Sequence, residues 1–135
     1  MGRSDLILLD THIVVWLAFS PDLLSAHAKA AIDKARKDGD GLAISDISLL
    51  ELAMLVNKGR IHLGIPLESF LTEIEARFVV LPITGTACAR LSHLPASYPK
   101  DPADRLIGAT AQAAGIELIT ADAAIRRSKA VRTIW

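Results

Sequence analysis

An α/β fold with a central, mostly parallel sheet of four to five strands is what the sequence predicts, and three observations carry it. Helical and extended segments alternate along the chain. The extended segments are unbroken apolar runs, the pattern of strands covered on both faces. The chain has 135 residues, 51% hydrophobic and 22% charged, which suffices for one domain, 1–135, with its own core.

The elements follow in order. LILL (6–9) reads as the first strand and 11–18 as a short helix. After the turn SPDLLS (20–25), AHAKAAIDKARKD (26–38) is an amphipathic helix stopped by Gly39 and Gly41. LAIS (42–45) is the second strand. DISLLELAMLVNKG (46–59) is a helix with a capping residue before and glycine after. A helix opening on Pro66 covers 66–77, FVVLPI (78–83) is the third strand, and a short helix runs to about Leu91. LPASYPK (94–100) is a proline-punctuated loop. The small-residue helix 101–115 leads into strand 116–120, and 131–135 forms a fifth strand at an edge.

Bulk properties exclude several classes. The 15 basic and 15 acidic residues cancel, so overall charge does not drive nucleic-acid binding, although a local basic patch stays open. Asp10, Thr11 and His12 split the N-terminal apolar run, and no stretch reaches the ~18 apolar residues of a membrane span. The expected location is cytoplasmic. The single cysteine, Cys88, has no disulfide partner and is expected to be a small buried hydrophobe.

In a parallel sheet the ligand site lies beyond the carboxyl ends of the strands. Asp10 follows the first strand directly, and Asp122 follows the fourth by two residues. Glu51 lies on an apolar helix, with Ile47, Ser48, Met54 and Leu55 as its helical neighbours and no cation among them. Asp104 is the third helical residue after Asp101, the expected N-cap, and Pro102. Helix capping also suits Asp10, Asp101, Asp104 and Asp122, and Glu51 suits a wet helix stripe. Position by position, both readings stay open.

Together, Asp10, Glu51, Asp104 and Asp122 would repel one another, and some would take up protons. A hard divalent cation resolves that conflict. Mg2+ or Mn2+ accepts a few carboxylate oxygens while keeping waters and phosphates. His12, His27, His62 and His93 are scattered, which disfavours zinc. Such an ion suits phosphodiester cleavage by an activated water.

Four segments, LLDTHIVVWL, SDISLLELAMLVNKGRI, DPADRLIGATA and LITADAAIR, resemble those of PIN domains, more narrowly VapC-type toxins of bacterial toxin–antitoxin pairs. They span nearly the whole chain in that family's order. The resemblance implies a PIN-like three-layer α/β/α sandwich and a Mg2+- or Mn2+-dependent endoribonuclease. It further implies a homodimer, possible larger toxin–antitoxin assemblies, and inhibition by a VapB-like antitoxin. Carried over by position, Asp10, Glu51, Asp104 and Asp122 are the catalytic, metal-binding acids, with Asp10 and Asp104 as principal ligands. Thr11, Ser48 and Thr120 match hydroxyl positions beside them, and Asp101 an extra acid of the DPxDR subgroup.

Lys58, Arg60, Arg105, Arg126 and Arg127, with Lys129 and Arg132, are the candidate RNA contacts; ordinary solvated surface is the competing reading. Few aromatics (4%) mean that no stacking platform is evident. The apolar excess at Val15, Trp16, Leu17, Leu49, Leu50, Leu52, Leu55 and Val56 suggests an antitoxin groove and a dimer seam, with core burial as the alternative. A haloacid-dehalogenase-type hydrolase is excluded because position 12 is His where it needs a second Asp. A receiver domain is excluded because FVVLPIT lacks a phosphoacceptor. The remaining competitor is a catalytically silent PIN-like module that binds RNA or protein.

Overall fold

In a computed structural model, which describes residues 6–39 and 41–135, five strands form one sheet: β1 (Ile7–Leu9), β2 (Leu42–Ser45), β3 (Val79–Leu81), β4 (Glu117–Ile119) and β5 (Thr133–Ile134). Their spatial order is β3-β2-β1-β4-β5, and every pairing is parallel. The register sets Ile7 opposite both Leu42 and Glu117. The chain builds outward from β1 through β2 to β3, then returns to add β4 and β5 on the other side. The boundary between β1 and β4 is therefore the point where connections diverge, the position at which α/β sheets open a crevice.

Seven helices accompany the strands: α1 (Thr11–Phe19), α2 (Ala26–Lys37), α3 (Asp46–Asn57), α4 (Leu67–Arg77), α5 (Gly85–Arg90), α6 (Pro102–Ala114) and α7 (Ala123–Ser128). Alternate strand residues point to opposite faces, and the core divides accordingly. Leu9, Ile44 and Ile119 pack with Ile13 and Val14 of α1, Ile32 of α2, Leu52 of α3 and Phe70 and Ile74 of α4. Leu8, Ala43 and Leu118 face Ile107 and Ala111 of α6, Ile125 of α7, and Leu94 and Tyr98 of the preceding loop. Three layers result, as expected from the sequence. Full burial of a leucine such as Leu8 or Leu9 contributes about 1.5–3 kcal/mol.

Polar residues just ahead of the helices start them. Ser25 Oγ accepts the Ala28 amide, Asp101 Oδ2 the Asp104 amide and Asp122 Oδ1 the Ile125 amide. Ser45 caps α3, and Asp46 instead accepts the Ile83 amide at 3.1 Å. Gly115 ends α6 in the left-handed region at φ 67°, where a side chain is strained.

Several expectations change, among them the fifth strand, which is only Thr133–Ile134. Cys88 is exposed, because Ala87 takes the inward position of the short α5. The third strand is shorter than 78–83, since Pro82 has no amide to pair. Among the described residues no helix is long and apolar enough to cross a membrane.

Candidate active site at the carboxyl edge of the sheet

The site begins with Asp10, whose amide donates to the Ile119 carbonyl at 3.0 Å and so carries the β1–β4 ladder one residue further. That fixes a carboxylate, 3% exposed, at the crevice. Its Oδ1 accepts the Thr11 amide at 3.0 Å, and its Oδ2 accepts the Thr120 hydroxyl at 2.8 Å. Among the described residues no lysine or arginine pairs with it. One oxygen of Asp10 thus begins α1, and the other is bound to Thr120, just beyond β4.

A second chain of bonds joins α1 to α3. Thr11 Oγ1 donates to Glu51 Oε1 at 2.5 Å and lies 2.8 Å from Ser48 Oγ. A threonine hydroxyl has one hydrogen, so Ser48 donates to Thr11 and Thr11 to Glu51. The Thr11 hydroxyl is thus the side-chain hydrogen-bond partner of Glu51. Burial raises the Glu51 pKa, and the charges of Asp10 and Asp101 add to the effect; the Thr11 hydrogen bond and His12 oppose it.

Asp104 stands in the first turn of α6. Its pKa is raised to about 7, first by burial and then by the charges of Asp10, Asp101, Glu51 and Asp122. These named neighbours are all negative. Behind it, the Tyr98 hydroxyl donates to the Asp104 carbonyl at 3.1 Å, and burial with surrounding acids holds that phenol well above its ordinary pKa. A Cβ on Gly108 would stand 2.2 Å from the Tyr98 hydroxyl, so only glycine admits the ring there.

Asp10, Glu51 and Asp104 line one cavity of about 320 Å3, together with Thr11, His12, Val15, Trp16, Met54, Leu55 and Lys58. Asp122 and Asp101 are not in its wall. Asp122 caps α7, while its amide donates to Thr120 Oγ1 at 3.1 Å. The charges of both nonetheless reach Asp104. Thr11, Ser48 and Thr120 all bond into this cluster, and each is buried.

The basic candidates separate. Lys58, the C-cap of α3, lines the cavity. Arg60, Arg126 and Arg127 are exposed. Arg105 is engaged elsewhere: it donates to the Pro99 and Leu91 carbonyls at 3.3 and 3.4 Å and braces the loop before α6. Adjacent helical residues point about 100° apart, which turns Arg105 away from the direction of Asp104. Arg132 donates to the Gly115 carbonyl at 2.9 Å.

Sequence reasoning did not single out His12. Its Nδ1 lies 3.5 Å from Asp10 Oδ2, its Nε2 accepts the Ala121 amide at 3.1 Å, and its ring meets Trp16 edge-on at 5.0 Å. Residues two apart on a helix do not face one another. Asp10, however, is the cap, outside the helix, and so can meet the side chain of the first turn.

Among the described residues, no three acidic, histidine or cysteine side chains stand close enough to make a closed metal cage. The donor set is carboxylate oxygen in a cavity with room for water. That suits Mg2+ or Mn2+, which use one or two carboxylates and keep several waters, better than a fully caged ion.

The PIN domain family model matches residues 7–130. The chain is 40% identical over 131 residues to Ribonuclease VapC22 of Mycobacterium tuberculosis, covering 96% of this chain and 98% of that protein. Among solved structures it resembles VapBC2 of Rickettsia felis bound to a promoter DNA fragment, with TM-score 0.73 and 20% identity over 95% of this chain and 96% of that one. It also resembles a toxin–antitoxin complex from Klebsiella pneumoniae, with TM-score 0.60 and 26% identity over 86% of each chain. The family match spans all four acids, and the VapC22 likeness runs nearly end to end: the chain belongs to the PIN-domain family, and within it to the VapC type.

Proposed function

We propose that the chain is a Mg2+- or Mn2+-dependent endoribonuclease, the toxin of a toxin–antitoxin pair, which cleaves RNA phosphodiester bonds with an activated water. One observation carries this reading: carboxylates from the cap of α1, from α3 and from α6 line a single cavity at the β1–β4 crevice. The likeness to a named ribonuclease supports it.

Asp10 and Asp104 are the principal metal-holding residues. Asp10 is pinned at both oxygens and cannot swing to follow the ion. A bound divalent cation supplies a water of lowered pKa and shields phosphate charge. Glu51 has Oε1 occupied by Thr11, and its Oε2 would be the atom to orient an attacking water or take a proton. Thr11, Ser48 and Thr120 hold the acids, and Asp122 and Asp101 add negative potential that strengthens cation binding. Lys58, with the exposed Arg60, Arg126 and Arg127, supplies positive charge for the RNA backbone.

The proposed protein partners are a VapB-like antitoxin, supported by the toxin–antitoxin complexes among the similar structures, and a second copy of the chain. Leu50 and Met54 on α3, 55% and 43% exposed, are apolar groups available to such contacts. Light scattering should give a dimer, and the product of the adjacent gene should bind.

A silent RNA- or protein-binding module is the competing reading. Structured RNAs incubated with Mg2+, Mn2+ or EDTA, beside Asp10→Asn, separate the two. Metal-dependent cutting lost in the variant supports the enzyme. Equal background in every lane supports the module.

A further inference from the structure

We propose that Trp16 is the base-holding wall of the site: its indole stacks on one unpaired nucleobase of an RNA strand, next to the phosphate held at the acids. The assignment rests on the ribonuclease reading above.

Two helices wall the cavity, and their residues fall in matching layers. α1 follows β1 and α3 follows β2, and these strands are parallel neighbours, so both helices leave the sheet from its carboxyl edge. α1 lines the cavity with Thr11 and His12 and, one turn on, with Val15 and Trp16. α3 lines it with Glu51, then Met54 and Leu55, then Lys58. Four residues of helix advance about 6 Å. Counted from the sheet edge, the order is therefore acid, apolar, cation. Cation, water and phosphate account for the acid layer, and a further phosphate for Lys58. None of these has a use for the apolar layer between them. The part of a ribonucleotide that does is the base, whose flat face stacks on aromatic side chains.

Trp16 is the residue of that layer suited to the task. It is partly exposed. Two ring contacts fix its plane, His12 at 5.0 Å and Trp135 at 5.8 Å, so stacking costs little side-chain freedom. Met54, 43% exposed, adds an adaptable thioether that can follow bases of different shape. One indole serves one base, in keeping with a chain of few aromatics. Stacking uses the face of the base and not its edges, so the larger purine ring is favoured over the pyrimidine.

The chain has two tryptophans, so Trp135→Phe leaves Trp16 as the sole indole reporter. In EDTA, oligoadenylate, oligouridylate and an abasic ribose-phosphate strand of equal length are added in turn. Oligoadenylate should quench Trp16 most, oligouridylate less and the abasic strand not at all, while anisotropy of labelled strands follows binding of all three. Trp16→Leu keeps an apolar side chain without the ring face; it should weaken oligoadenylate about tenfold and leave the abasic strand within about twofold. Trp16→Phe should recover most of the loss. Equal losses for both strands would make Trp16 a residue of the fold alone and overturn the proposal, as would oligoadenylate that binds without quenching. Quenching by the product of the adjacent gene but not by RNA would give the wall to a protein partner and overturn it too. A parent chain that binds no strand overturns the RNA reading itself, and the base wall with it.

Discussion

Thr120 and Asp10, 110 positions apart in sequence, are joined by a 2.8 Å hydrogen bond from the threonine hydroxyl to Oδ2, and the same hydroxyl accepts the Asp122 amide. One buried oxygen therefore serves two of the acids. Thr120→Val keeps the shape and removes both bonds, leaving Asp10 Oδ2 and the Asp122 amide short of a partner. Urea unfolding should show a loss of about 1–3 kcal/mol. Thr120→Ser should recover most of it; a valine variant as stable as the parent chain would show that the bond has no weight.

Glu51 is expected to trade stability for activity. It is a half-buried acid facing two other acids, and its only hydrogen-bond partner named above is the Thr11 hydroxyl. Glu51→Gln keeps an oxygen for Thr11 and removes the repelled charge. Its melting temperature at pH 8 without metal should rise by roughly 2–4 °C. RNA cutting should fall by about 100-fold or more. A lower melting temperature would mean that the carboxylate is structurally paired after all.

Asp104 gives the chain a pH dependence of definite sign. Its ordinary value is 3.8 and its folded value about 7. Between these the folded chain keeps a proton that the unfolded chain has released, so stability from this group is complete below about pH 4 and lost as pH rises through about 7. The raised Glu51 pKa acts in the same direction. In EDTA, the parent chain should therefore lose more melting temperature between pH 5 and pH 8 than Asp104→Asn does. Mn2+ at pH 8 should restore it in the parent chain only, by mass action on the folded state. Identical pH profiles for the two chains would rule out the shift.

Much of this was legible in the chain itself, for physical reasons that differ by residue. The strands could be read because burial on both faces forces unbroken apolar runs, as in Leu8–Leu9 and Leu118–Ile119. The strand-end acids could be read because the sheet places all its carboxyl ends at one edge. Asp101 and Asp104 could be placed on the first turn of α6 by Pro102. Three-dimensional proximity was less accessible. That Asp10, Glu51 and Asp104 share a cavity while Asp122 only bears on it by charge depends on how α3 and α6 sit on the sheet. Arg105 is a neighbour of Asp104 in sequence yet points to the Leu91 and Pro99 carbonyls. His12 escaped because its partner lies on a cap, where helical spacing rules do not apply. Cys88 sits on a helix of only six residues, too short for apolar spacing to mark the inward face.

Gly108 and Tyr98 provide a test of how the third acid is seated. The ring lies against the glycine of α6, and its hydroxyl reaches the Asp104 carbonyl. Gly108→Ala would drive a methyl into the phenol, a clash that should cost about 1–3 kcal/mol despite the better helix propensity of alanine. Tyr98→Phe keeps the ring and drops the bond, for about 0.5–1.5 kcal/mol. Urea midpoints of both variants check the order of the two effects; an alanine variant more stable than the parent chain would show that the ring can move aside.

Lys58 lines the same cavity as the acids, so the proposed RNA-cutting reading gives it a test. Glu51 and Lys58 are seven residues apart, about 10 Å along α3, and both line the cavity. An RNA strand whose scissile phosphate meets the acids would therefore bring another part of its backbone to Lys58. Each phosphate neutralised releases counterions, so the logarithm of affinity falls linearly with that of salt. Fluorescence anisotropy with a labelled RNA in EDTA separates binding from cutting. Lys58→Met should weaken binding uniformly across sequences and reduce the salt slope by about 0.7, the single-strand value for one contact. Lys29→Met, on the exposed side of α2, should leave the slope unchanged. If both variants keep the parent slope, the RNA path avoids Lys58.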